Sequence, residues 1–296
     1  MQRHPKRERF GVRPFESRRR RVARKTVSVL PTLFTLGNLL CGFAAIFIVS
    51  RGDAPLPFGW SAPTAAALLI FLGMALDGVD GGIARLTRSA SELGEQLDSM
   101  ADMVTFGVAP AFVAIQLIGV GLPFLSEAAE MDTFFSRLAF MVACIFVVCA
   151  ALRLARFNVE LDTPGEHDHN FFRGLPAPGA AGTVVAMVLL HEHFFYGLAD
   201  WGNAAAMLTR FAMVGIMLLV AIAMVSNFRY AHVVNRYIRG RAGVDKIALV
   251  IAVALLLLVH WQGALALGFA LYALSAPCFA FYRRARQRTA PPAGHA

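Results

Sequence analysis

The chain has 296 residues, of which 57% are hydrophobic and 16% are charged, and its formal net charge is +9. A soluble domain of this length rarely carries so much apolar surface, because its exterior must face water. Stretches of about 20 apolar residues are long enough for a helix to cross a hydrocarbon core about 30 Å thick. The composition therefore excludes an ordinary soluble enzyme and predicts an all-α, polytopic integral membrane bundle.

Residues 1–27 form a strongly basic segment, which we expect to lie in the cytoplasm. The basic run precedes a full-length apolar span, whereas a signal peptide carries a short, cleavable one. Basic residues beside a membrane are attracted to anionic head groups, at about 1 kcal/mol each. This interpretation is favoured over nucleic-acid binding, so the expected partners are anionic membrane lipids and no nucleic acid.

Eight apolar stretches follow, and the charges between them alternate with the crossings. Arginine and lysine cluster before the first span, between the sixth and the seventh, and after the eighth, which predicts that both termini are cytoplasmic. We expect a bacterial-type inner membrane protein with a membrane domain at 28–284 and a disordered tail at 285–296. The predicted spans are 31–50, 61–86, 95–120, 135–157, 174–193, 208–227, 246–260 and 263–282.

An acidic stretch, "DGVDGGIARLTRSASELGEQLDSMAD", joins the second and third spans at 77–102. Each residue advances about 100° around a helix. Asp77 and Asp80 therefore share one face of the second span, and Asp98 and Asp102 form a stripe on the third. Four carboxylates at one membrane depth repel one another and require cations. Ligands that are all oxygens favour Mg²⁺ or Mn²⁺, and two such ions would suit phosphoryl chemistry.

Small residues lie beside these aspartates, and they allow two interpretations. They could permit close packing of helices, or they could leave room for a ligand; their position beside the aspartates favours the second. Aspartates in a membrane also suit a divalent-cation transporter. The apolar sequence "TAAALLIFLGMAL" at 64–76 offers no polar path outward and disfavours that alternative. The small residues are Gly78, Gly81, Gly82, Ala84 and Gly94.

The same stretch resembles the signature of the CDP-alcohol phosphatidyltransferase family, D-x2-D-G-x2-A-R-x8-G-x3-D-x3-D. The resemblance implies a two-metal site in which Asp77 and Asp98 bridge both ions, Asp80 binds one ion and Asp102 binds the other. It also implies that Asp102 is the general base and that the protein is a homodimer. The eight fixed positions are filled by Asp77, Asp80, Gly81, Ala84, Arg85, Gly94, Asp98 and Asp102.

The resemblance further implies contacts with the CDP part of a lipid donor at the cytoplasmic side. Some come from the signature itself, and others come from the sequence "PTLFTLGN" in the first span, which is similar to the family's first helix. The implied CDP-lipid contacts are Thr32, Thr35, Asn38, Gly81, Ala84, Arg85 and Ser91.

Segments at 32–43, 153–160 and 171–182 resemble the phosphatidylserine synthase branch of the family. That resemblance implies transfer of a phosphatidyl group from CDP-diacylglycerol to L-serine with release of CMP. An arginine at this depth can hold a carboxylate by two parallel hydrogen bonds, or it can merely mark the membrane boundary. Glycerol 3-phosphate, inositol phosphate and choline stay open as acceptors. The candidate acceptor contacts are Arg153, Arg156, Asn158 and Gly174.

Overall fold

Helices dominate the computed structural model, which describes residues 18–52, 56, 59–87, 92–118, 130–161, 171–195, 203–231 and 260–279. The predicted seventh span lies outside these residues except for its last position, as does the predicted tail at 285–296. The helices are α1 (Arg18–Ser50), α2 (Ala62–Thr87), α3 (Glu92–Asp102), α4 (Ala109–Leu117), α5 (Glu130–Leu161), α6 (Ala177–Leu190), α7 (Asn203–Val225) and α8 (His260–Phe279).

Two π-helical segments interrupt the α-helical pattern. One, Met103–Val108, connects α3 to α4, and the other, His191–Phe195, extends α6. In a π turn the backbone hydrogen bonds run from residue i to i+5, so the turn is wider than an α turn. The sequence predicted an uninterrupted third span, and the structure places a π segment directly after Asp102.

Six helices in the described part of the chain are long and apolar enough to cross a membrane, which confirms a polytopic helical membrane protein. They correspond to the predicted first, second, third, fourth, sixth and eighth spans. The predicted fifth span corresponds to α6, whose 14 residues follow an extended Pro176. The six are Thr32–Ser50, Ala62–Ile83, Leu93–Leu117, Phe134–Val159, Leu208–Val225 and His260–Phe279.

Helix α6 lies in the interior of the bundle, because almost all its side chains are buried. It contacts α2, α4 and α7. The outer helices instead expose large apolar side chains, for example Leu40 and Phe43 on α1 and Leu219 on α7. Exposed apolar side chains on long helices are what a hydrocarbon solvent requires.

A short antiparallel ribbon, which the sequence did not predict, joins the segments before α6 and after α7. Strand β1 (Phe171–Arg173) pairs with β2 (Arg229–Ala231), with Phe172 opposite Tyr230. The hydroxyl of Tyr230 donates a hydrogen bond of 2.9 Å to the carbonyl of Ala273 in α8. Burial raises the pKa of Tyr230 to about 12, so the hydroxyl keeps its proton and remains a donor at neutral pH.

Gly174 connects this ribbon to α6 through a backbone conformation that suits glycine. Its φ angle is +83°, which lies in the left-handed region that L side chains rarely adopt. Its N–H donates a hydrogen bond of 2.8 Å to the carbonyl of Phe228. A Cβ at this position would collide with the carbonyl oxygen of Met224. Gly174 thus permits close contact between the start of α6 and the end of α7.

Candidate metal and lipid site

Three of the four predicted aspartates converge between α2 and α3. One carboxylate oxygen each from Asp77, Asp98 and Asp102 lie within 4.8 Å of one another. Asp98 and Asp102 are four residues apart and therefore project from the same face of α3. Asp77 reaches the same point from the C-terminal half of α2, as its position in the second span predicted.

The fourth aspartate, Asp80, is more deeply buried and has its own partner. Its Oδ2 accepts a hydrogen bond of 2.8 Å from the hydroxyl of Thr35 in α1, and the residue is 5% exposed. It still lies close enough to Asp98 and Asp102 for their charges to repel. The predicted group of four is therefore a tight cluster of three with Asp80 alongside.

Helix α1 also contacts the cluster through Asn38, which is fully buried. The amide Nδ2 of Asn38 donates a hydrogen bond of 3.1 Å to Oδ1 of Asp102. The hydroxyl of Thr105, in the π segment, donates a hydrogen bond of 2.9 Å to the backbone carbonyl of Asn38. In the structure, Thr35 and Asn38 thus contact aspartates, although the sequence placed both near the CDP-lipid.

The residues of the cluster fit divalent metal ions of the hard type. Three carboxylates held so close together are mutually repulsive unless a cation lies between them. Oδ1 of Asp98 is buried, and no described residue gives it a hydrogen bond. All the ligand atoms on offer are carboxylate oxygens, and oxygen ligands are typical of Mg²⁺ and Mn²⁺ rather than Zn²⁺.

Two glycines of the acidic stretch, Gly78 and Gly82, have no close neighbour among the described residues. A Cβ added at Gly78 or Gly82 would meet no described atom within 4 Å. Close helix packing among the described residues therefore does not account for these two glycines, which agrees with room for a ligand beside the aspartates. Ala84 and Arg85 continue α2, where the backbone alone is described, and Ser91 lies outside the described residues.

The four candidate acceptor contacts occupy different environments. Both terminal nitrogens of Arg156 donate to Oδ1 of Asn227, at 3.3 Å each. Asn158 donates a hydrogen bond of 3.0 Å to the hydroxyl of Ser99. Arg153 is buried, with its guanidinium 5.6 Å from the centre of the Phe157 ring. Arg153 and Arg156, for which the sequence predicted the same role, therefore have different contacts in the structure.

Sequence reasoning missed several residues that shape the site. Thr105 was not predicted, and neither was Asn227, which holds Arg156. Gly73 was also missed, although it precedes Asp77 by one helical turn and so shares its face. A Cβ at Gly73 would lie 2.8 Å from Oδ1 of Asn38. The spacing of Gly73 from Asp77 was the signal available in the sequence.

Comparison with known proteins supports the identification of the signature. Residues 28–219 match the profile of the CDP-alcohol phosphatidyltransferase family. The match covers more than half of the chain and includes the three converging aspartates, Asn38, Arg153 and Arg156.

Individual relatives agree with this match. A Helicobacter pylori (strain J99) protein named CDP-diacylglycerol–serine O-phosphatidyltransferase is 33% identical over 202 residues, which cover 68% of this chain and 71% of that protein. A Bacillus subtilis protein of the same name is 29% identical over 62% of this chain and 89% of its own length. A Saccharomyces cerevisiae protein, also of that name, is 38% identical over 41% of this chain and 40% of its own length. The resemblance stated from the sequence is confirmed, and the chain belongs to the CDP-alcohol phosphatidyltransferase family.

Proposed function

We propose that this protein transfers the phosphatidyl group of CDP-diacylglycerol to the hydroxyl of L-serine, giving phosphatidylserine and CMP. The observation that carries the proposal is the convergence of Asp77, Asp98 and Asp102 within 4.8 Å. These are three of the signature's four aspartates, and their carboxylate oxygens would hold divalent ions that bind a diphosphate. The names of the relatives support serine as the acceptor.

Two Mg²⁺ or Mn²⁺ ions are the proposed cofactors. Asp77 and Asp98 would hold both, Asp80 would hold one and Asp102 the other. When bound, the ions would neutralise charge on the diphosphate oxygens and stabilise the departing CMP. The buried Oδ1 of Asp98, without a hydrogen bond from any described residue, supports a ligand role for that side chain.

Asp102 is the proposed general base. It accepts the proton of the serine hydroxyl while the hydroxyl oxygen attacks the lipid-side phosphorus, and the bond from that phosphorus to CMP breaks. Asn38 already donates a hydrogen bond to Oδ1 of Asp102. That bond occupies Oδ1, so Oδ2 is the proposed proton acceptor.

The donor would bind along the open side of α2. Gly78 and Gly82 leave space there among the described residues, and the proposed contacts with the CDP moiety are Thr32, Gly81, Ala84, Arg85 and Ser91. Thr35 and Asn38 would act on the same donor indirectly, because each holds an aspartate by a hydrogen bond.

Arg153 is the proposed partner of the serine carboxylate. Ser99 contacts Asn158, and the Cβ position of Gly107 lies 3.4 Å from the Cβ of Ala150. This antiparallel register places Arg153 close to the membrane depth of Asp102. A buried guanidinium at that depth offers a carboxylate two parallel, charge-assisted hydrogen bonds. Asn158, Arg156 and Gly174 would support the pocket through the contacts described above.

The proposed topology has eight crossings, with both termini and the active site facing the cytoplasm of a bacterial-type inner membrane. Its support is the clustering of arginine and lysine before the first span, between the sixth and the seventh, and after the eighth. Within it, 28–284 would form the membrane domain, 1–27 would bind anionic lipids, and 285–296 would be a disordered tail. A homodimer is the proposed assembly.

The decisive experiment measures CMP release and labelled lipid from CDP-diacylglycerol and purified protein. Labelled serine, glycerol 3-phosphate, inositol phosphate and choline are supplied in parallel with Mg²⁺. We expect labelled lipid from serine alone, loss of turnover in EDTA, and recovery with Mg²⁺ or Mn²⁺. Asp98→Asn should be inactive, whereas Glu192→Gln, a matched acid-to-amide change in the π segment that follows α6, should retain activity.

Two outcomes would reject the proposal. Labelled lipid from another acceptor would reject serine while keeping the reaction class. No CMP release with any alcohol, together with divalent-cation uptake into vesicles that hold the protein, would favour a cation transporter, because intramembrane aspartates also mark ion pathways.

A further inference from the structure

A buried threonine, Thr105, lies three residues beyond Asp102, inside the π segment. Its side chain is fully buried, and its hydroxyl donates a hydrogen bond of 2.9 Å to the main-chain carbonyl of Asn38. A threonine hydroxyl in a helix commonly bonds to a carbonyl of its own preceding turn. Here the hydroxyl reaches a different helix, so the bond ties the π segment to α1.

Two glycines allow this approach. A Cβ at Gly42 in α1 would collide with the hydroxyl and Cα of Thr105. A Cβ at Gly73 in α2 would lie 2.8 Å from Cγ2 of Thr105 and 2.8 Å from Oδ1 of Asn38. Real Cβ atoms essentially never come so close to a neighbour, so a larger residue at either position would push Thr105 or Asn38 aside. Three helices thus meet at backbone distance around this hydroxyl.

The position of Thr105 affects Asp102 through Asn38. The amide of Asn38 has one polar partner among the described residues, Oδ1 of Asp102 at 3.1 Å. Its own Oδ1 is buried, faces Gly73 and receives no hydrogen bond from a described residue. The amide therefore has no second strong contact that would hold its plane, and its position depends on the main chain that Thr105 anchors. π turns occur frequently at functional sites, and this one places Asp102 and Thr105 on either side of Asn38.

We propose that Thr105 is a positioning residue for phosphatidyl transfer: its hydroxyl anchors Asn38, and the Asn38 amide in turn orients the Asp102 carboxylate. Thr105 does not touch the substrates. The inference rests on the proposed function, because it assigns the orientation of the proposed base and ligand. Residues that orient a metal ligand without binding the metal themselves typically change metal affinity or activity by about 10–100-fold when they are mutated.

The test compares Thr105→Val, which keeps the shape and removes the hydroxyl, with Thr105→Ser, which keeps the hydroxyl. We expect Thr105→Val to lower kcat by about tenfold or more, with the KM values for CDP-diacylglycerol and serine unchanged. Thr105→Ser should restore most of kcat. A second readout is the Mg²⁺ concentration that gives half of the metal-induced rise in thermal unfolding temperature, which should increase in Thr105→Val and not in Thr105→Ser.

Glycine variants provide an independent test of whether the position of Asn38 matters. Gly73→Ala should reproduce the loss of kcat, because its methyl group would displace the Asn38 amide. Gly215→Ala in α7 is the matched control, since a Cβ there meets no described atom within 4 Å, and it should behave like the wild type. Folding of every variant is checked by size-exclusion chromatography.

The proposal is overturned if Thr105→Val retains kcat and its Mg²⁺ requirement, or if the valine and serine variants are equally impaired. It is also overturned if Thr105→Val and Gly73→Ala both fail to fold, because Thr105 would then serve the fold alone. A wild type that transfers to no acceptor would reject the proposed function instead. The Mg²⁺-dependent unfolding temperature would still decide the role of Thr105 in that case.

Discussion

The hydroxyl of Thr35 donates a hydrogen bond of 2.8 Å to Oδ2 of Asp80, joining α1 to α2 across 45 residues of sequence. Asp80 is 5% exposed and lies within the repulsive field of two other carboxylates. A buried carboxylate in this setting needs donors that stabilise its charge. The Thr35 hydroxyl is one of them, and it keeps Asp80 beside the cluster of three.

Thr35→Val should therefore destabilise the protein. Hydrogen bonds to charged groups contribute about 1.5–3 kcal/mol, and we expect a loss of that order in the free energy of unfolding. Thr35→Ser, which keeps the hydroxyl, should lose less. Ser50→Ala is the control, because that hydroxyl is exposed and donates within its own helix to the carbonyl of Phe47. Denaturant unfolding in detergent measures the difference, and equal stability of the valine and serine variants would contradict it.

Asp102→Asn should abolish turnover and leave the fold intact. The amide cannot accept the serine proton, so we expect no CMP release above background. In EDTA the variant should unfold at a higher temperature than the wild type, because it removes one of three carboxylates that lie within 4.8 Å. Added Mg²⁺ should raise the unfolding temperature of the wild type more than that of the variant. Near-normal turnover would remove Asp102 from the base role.

The convergence of the aspartates was predictable because helical periodicity and membrane depth suffice to place them. Asp98 and Asp102 share a stripe whatever surrounds α3, and Asp77 lies near the C-terminal end of the preceding span, at a similar depth. The glycines beside them were ambiguous in the sequence. Among the described residues Gly73 has close neighbours and Gly78 and Gly82 have none. That difference depends on the packing of neighbouring helices, which periodicity does not give.

The partners of the aspartates could not be predicted for a related reason. Which face of α1 meets α2 and α3 depends on the packing of all three helices, so the sequence did not reveal that Thr35 and Asn38 contact aspartates. The π segment likewise depends on tertiary contacts around Thr105. The contact of Arg156 was equally hidden in the sequence, because its partner Asn227 lies 71 positions away.

Gly174→Ala should destabilise the protein more than a glycine substitution at an unobstructed turn. Both Gly174 and Gly59 have positive φ angles, +83° and +67° respectively. A Cβ at Gly59 meets no described atom within 4 Å, whereas at Gly174 it collides with the Met224 carbonyl. We expect Gly59→Ala to cost about 1 kcal/mol from backbone conformation alone, and Gly174→Ala to cost clearly more. Equal unfolding temperatures of the two variants would contradict this, because they would show that the contact between α6 and α7 can adjust to a methyl group at little cost.

Arg153→Lys should weaken the use of serine more than Arg156→Lys does, and Arg137→Lys should not weaken it. Lysine keeps the positive charge and loses the planar fork that binds a carboxylate through two hydrogen bonds. Loss of one charge-assisted hydrogen bond, about 1.5–3 kcal/mol, predicts a fall in kcat/KM for serine of about tenfold or more, with the KM for CDP-diacylglycerol unchanged. The matched control is Arg137→Lys, at an exposed arginine of the same helix. Arg156, which is bonded to Asn227, is compared with Arg153. Steady-state kinetics with varied serine distinguish the two, and a serine defect confined to Arg156→Lys would move the proposed carboxylate site from the buried arginine to the one beside α7.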